Sequence, residues 1–167
     1  DSIKQDKSKN RYDVQFLPES GNYVTGKSST VYIKSLNQGG TGAKVFGEIY
    51  DSKGAVIANY STDTLGFGKV IIKSVPVGTM KASVKDTLGH EDDEIKLQKA
   101  ISSGVTIEGC FDIVGKYSYS DADKFNLKIT ISDELASQTD LNVMIHNNSE
   151  IYFNRNLEQI SETYSLQ

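Results

Sequence analysis

The sequence predicts an all-β chain built as two antiparallel β-sandwiches in tandem. Three observations carry this. Short runs that alternate apolar and polar residues recur roughly every eight to twelve positions, with turn residues between them. Helical periodicity is weak throughout, with at most one turn at residues 157–160. A short acidic stretch then interrupts the strand pattern near the middle of the chain. The composition agrees: 14 Gly, 2 Pro, 9 Tyr and no Trp among 167 residues suit many tight turns and aromatic strand positions.

Residues 1–11 are polar, with one large apolar side chain, and read as a flexible leader. A first strand spans 12–17 and stops at Pro18 and the Gly21-Asn22 turn. In 29–36, Val31 and Ile33 share one face while Tyr32 and Lys34 share the other. The stretch Asn37-Gln38-Gly39-Gly40-Thr41-Gly42 reads as a flexible loop. Ala43, Val45, Gly47 and Ile49 then line one face of a strand, with Lys44, Phe46, Glu48 and Tyr50 on the other. Asp51-Ser52-Lys53-Gly54 is a hairpin turn and 55–60 the return strand. Thr64-Leu65-Gly66-Phe67-Gly68 makes a corner, and 69–74 and 79–85 are strands around Pro76-Val77-Gly78.

Residues 86–94 carry five acids and one large apolar residue. The expected domains are therefore a sandwich over 12–87, an acidic linker over 88–94 and a second sandwich over 95–167. Its strands fall at 94–100, 104–111, 124–132, 141–147 and 150–154. Phe125, Leu127, Ile129 and Ile131 alternate most cleanly with Asn126, Lys128, Thr130 and Ser132. After Asn154 no clean alternation remains. Either the second sandwich is incomplete with an open edge, or residues 161–166 form its closing strand.

Eighteen basic against 22 acidic residues give a net charge of −4, with no basic stripe, so nucleic acid is not an expected partner. The longest apolar runs, such as Val70-Ile71-Ile72, fall far short of the ~20 residues of a membrane-spanning helix. The polar start at Asp1 suggests a processed or excised chain without a signal peptide. Cys110 is alone, which excludes an internal disulfide, and its apolar strand suggests a buried, unreactive thiol.

No catalytic set assembles. His90 and His146 fall in different expected domains, no Gly-x-Ser-x-Gly elbow occurs, and the Gly39-Gly40-Thr41-Gly42 stretch lacks the lysine of a phosphate loop. The acids Glu91, Asp92, Asp93 and Glu94 are candidate oxygen ligands for calcium between two sandwiches, against the simpler reading of a solvated charge run. Tyr117 and Tyr119 are candidates for stacking a sugar or anchoring a partner, against simple cross-strand packing.

Four motifs in order resemble macroglobulin-like domains of large Gram-negative cell-envelope proteins, some of which carry a TonB-dependent-receptor plug domain. Asp13-Val-Gln-Phe-Leu-Pro-Glu-Ser-Gly-Asn22 resembles their V-x-F-[FL]-P-E-G-G opening, with Ser20 replacing one glycine. Gly47-Glu-Ile-Tyr-Asp-Ser-Lys-Gly54 is similar to a G-x-I-x-D-x-x-G hairpin. Asp63-Thr-Leu-Gly-Phe-Gly68 and Val75-Pro-Val-Gly78 resemble the following corner and turn. The resemblance implies immunoglobulin-like sandwiches acting as spacers and protein-binding surfaces. It implies no enzyme activity and no cofactor. The expected partners are other domains of the parent polypeptide or another envelope protein, and the expected place is the periplasm, outer membrane or cell surface. A carbohydrate-binding or adhesin module is the alternative. The Gly-Cys-Gly-Glu-Gln thioester of larger alpha-macroglobulins is absent, since Gly109-Cys110 is followed by Phe111-Asp112.

Overall fold

The computed structural model describes residues 10–112, 124–136, 141–146, 148–157 and 161–166. Their regular secondary structure is nearly all strand, in several antiparallel sheets, and the chain divides into two compact units, Asp1–Ala100 and Ile101–Gln167.

Among its described residues the first unit holds seven strands: β1 (Tyr12–Pro18), β2 (Ser29–Asn37), β3 (Val45–Tyr50), β4 (Val56–Ser61), β5 (Phe67–Ile72), β6 (Lys81–Asp86) and β7 (Glu91–Lys96). They form a three-stranded sheet in the order β1-β2-β5 and a four-stranded sheet in the order β4-β3-β6-β7. The alternation read from the sequence is the alternation of burial. Val31 and Ile33 of β2 and Val70 and Ile72 of β5 face one core with Val45, Ile49, Ala82 and Val84 of the other sheet. Burying each of these valine and isoleucine side chains contributes roughly 1.5–3 kcal/mol. Phe16 and Tyr60 meet edge to face across the layers at 5.1 Å between ring centroids. Tyr23 and Val24, outside any strand, are fully buried too.

At the β4–β5 corner the buried Thr62 hydroxyl donates to the Ala43 carbonyl at 2.9 Å and accepts from Val45 N–H at 2.9 Å. Gly66 follows at φ 83°, where an added Cβ would lie 2.1 Å from the Ser35 carbonyl oxygen. Only glycine fits both the dihedral and the approach.

The second unit contains β8 (Val105–Asp112), β9 (Lys124–Ile131), a single helical turn α1 (Asp133–Ala136), β10 (Leu141–His146), β11 (Ile151–Leu157) and β12 (Ser161–Leu166). β9 lies between β12 and β8, while β10 and β11 pair separately. Leu127, Ile129 and Ile131 form its core, with Val105, Leu135, Val143 and Ile145 against them.

One expectation is corrected, one of two open alternatives is realised, and one element is new. The acidic run is not a linker: Glu91–Lys96 is edge strand β7, paired with β6 through a bulge, and the two units divide six residues beyond Glu94, after Ala100. Edge strands tolerate charge because one side faces water. Residues 161–166 do not leave β9 open; they pair with it from Ser161↔Thr130 to Leu166↔Phe125. The helical turn at 133–136 had no sequence forecast, being too short for a period to show.

Candidate functional site

One device builds four turns of the first unit. Asn37, Asp51, Asp63 and Asp86 each accept, through the side-chain Oδ1, the N–H groups two and four residues ahead at 2.8–3.2 Å. The residue three ahead is Gly40, Gly54, Gly66 or Gly89, each at φ between 77 and 85°. Such a glycine closes a hairpin with a one-residue bulge. The stretch at Asn37 is therefore a fixed turn rather than a flexible loop, and its side-chain nitrogen also donates to Thr41 Oγ1 at 2.7 Å.

Three of these turns share one end of the unit. Val45 pairs with Asp86, and Thr62, just before the third turn, bonds Val45 on its other side. Asn37 pairs with Tyr12, whose hydroxyl donates to Asp86 Oδ2 at 2.9 Å. Leu65 and Leu88 project from two of the turns at 71% and 80% exposure. Exposed side chains on rigid turns are the usual way a sandwich presents a binding surface.

Asp86 is the hub of this end. It is nearly buried and accepts from Tyr12, from His90 Nδ1 at 2.7 Å, and from the N–H groups of Leu88 and His90. Burial alone raises its pKa, yet the donors from His90, Tyr12 and Leu88 outweigh that and hold the carboxyl well below its ordinary value. Tyr12 N–H donates in turn to Asp92 Oδ2 at 3.0 Å, so the first strand is latched to the last hairpin twice.

A cleft of about 450 Å³ opens beside this latch, lined by Arg11, Tyr12, Asn37, Gln38, Gly39 and Thr41. In the second unit a separate apolar cleft of about 490 Å³ lies between Val105, Ile107, Leu127 and Ile129 on one side and β10 on the other.

The calcium candidates are spread by the β7 backbone. Glu91 pairs with Lys85 at 2.6 Å, Glu94 with Lys81 at 3.0 Å, Asp92 holds Tyr12, and the Asp93 N–H donates to Asn10. Among the described residues no group of three or more His, Cys, Asp or Glu side chains is placed to hold a metal ion. His90 is bound to Asp86, and His146 lies on β10 in the other unit. Tyr117 and Tyr119 lie outside the described residues, as does the side chain of Cys110, whose backbone pairs with Asn126. The roles of Asp86 and Tyr12 and the gathering of these turns at one end escaped the sequence reading, although Asp-Thr-Leu-Gly stands twice, at 63–66 and 86–89, as a signal of the common turn.

Comparison with protein-family models gives no match, and comparison with curated proteins gives none either.

Proposed function

We propose that this chain is a non-catalytic structural and interaction module of a larger exported bacterial envelope protein, acting as spacer and protein-binding surface. One observation carries the reading: a latched seven-stranded body gathers three pre-shaped turns at one end. Stiffness comes from two sheets over one core, and recognition from loops that need little ordering on contact. The gathered polar groups of this end, Asp86, Tyr12 and Asp92, are all engaged in joining strands. The strand order supports an immunoglobulin-like first unit, because it differs from the antibody constant arrangement only in the sheet that takes the fourth strand. The macroglobulin-like motifs fit as well, since Gly54, Gly66 and Gly78 all take positive φ at turns.

Fractionation of the producing cells, probed with antibody to this chain, tests the reading. The expected signal is a species much larger than 18.3 kDa in the envelope fraction. A cytoplasmic species of 18.3 kDa would overturn it.

A further inference from the structure

We infer that the cleft beside the Tyr12 latch is a binding site for a neutral saccharide. The inference rests on the proposed interaction role and gives its turn-bearing end a ligand class. Both walls of the cleft are fixed before any ligand arrives. One is Tyr12, held by its side-chain hydroxyl on Asp86 at 2.9 Å and its backbone N–H on Asp92 at 3.0 Å. The other is the turn from Asn37 to Thr41, whose Asn37 side chain makes three hydrogen bonds within it. Preorganised walls lower the ordering cost that weakens small polar ligands.

The groups left to a ligand suit hydroxyls. Arg11 and Gln38 are exposed, and no described carboxylate forms an ion pair with Arg11. Arg11 offers a fork of N–H donors, while Gln38 offers a donor and an acceptor. Thr41 Oγ1 accepts from Asn37, which leaves its own O–H to donate. Gly39 lets a ligand approach the backbone, and Tyr12, whose side chain packs against the core, lines the cleft beside it. The cleft, about 450 Å³, is within the range of small-molecule sites.

Charge decides between neutral and anionic ligands. Arg11 alone favours an anion, but the Asp86 and Asp92 carboxylates stand against Tyr12 and oppose it. A hydroxylated, uncharged ligand meets no such penalty.

A printed array of neutral and acidic glycans, probed with the full chain and read alongside Arg11→Ala and Gln38→Ala variants, tests this. Both side chains are exposed, and matching circular dichroism and unfolding curves establish that the variants fold. The expected result is binding to a subset of neutral glycans, at least about tenfold weaker in either variant. On adding a bound glycan, amide resonances of Gly39 and Thr41 should shift. Absence of binding above a control protein overturns the inference. So does binding that survives both substitutions, or binding confined to acidic glycans and abolished by salt. Failure here with an envelope-located parent leaves the module reading standing; glycan binding by a lone cytoplasmic chain does the reverse.

Discussion

Asp86 accepts four hydrogen bonds from three residues, two of them from His90. Its pKa is depressed in the folded chain, so its contribution to stability is full above the ordinary carboxyl value of 3.8 and is lost as pH falls below it. Asp86→Asn should therefore lower the unfolding temperature at neutral pH, and the gap from the parent chain should narrow progressively on acidification below about pH 4. Thermal unfolding across pH 2–7 checks both; a gap that widens in acid would refute the assignment. Tyr23 tests the opposite situation. It is fully buried, and its hydroxyl has no hydrogen-bond partner among the described residues. Tyr23→Phe should raise stability by about 1 kcal/mol, measured by urea unfolding, because an unpaired buried hydroxyl costs roughly 1–3 kcal/mol. Nothing in the sequence marks Tyr23 as core. It lies between turns where alternation gives no sign, and only the folded neighbours bury it.

At the scale of elements, the four turns separate two costs that glycine substitutions usually mix. Gly54 and Gly66 share nearly the same dihedral, φ 85° and 83°, but a Cβ on Gly54 meets nothing within 4 Å. Gly54→Ala should cost about 1–2 kcal/mol, the price of the left-handed conformation alone. Gly66→Ala adds the clash with Ser35 and should cost about 3–5 kcal/mol; equal losses in denaturant titrations would argue against the close approach. In the second unit, hydrogen exchange should show protected amides within Ser161–Leu166, since this strand pairs along β9. Uniformly fast exchange there would contradict the pairing. β2 and β3 were legible because one face is buried and the other wet, which writes itself as alternation. β7 was not. Its four acids look like solvated linker, whereas an edge position, lysines on β6 and a bulge make the same residues a strand.

For the whole molecule, the division after Ala100 predicts that residues 1–100 fold alone with one cooperative transition. Chemical unfolding of that fragment checks it, and a fragment without a sharp transition would place the boundary elsewhere. The all-β class, most strand positions in order and the turns at Gly54 and Gly66 were determined by the sequence itself, through residues a few positions apart. The second unit's closing strand, the edge role of the acidic run and the gathering of three turns at one end were decided by the tertiary structure. The latch shows why. Tyr12 bonds Asp86 and Asp92 across separations of 74 and 80 residues, and no local pattern encodes a partner that only sheet pairing brings within 3 Å.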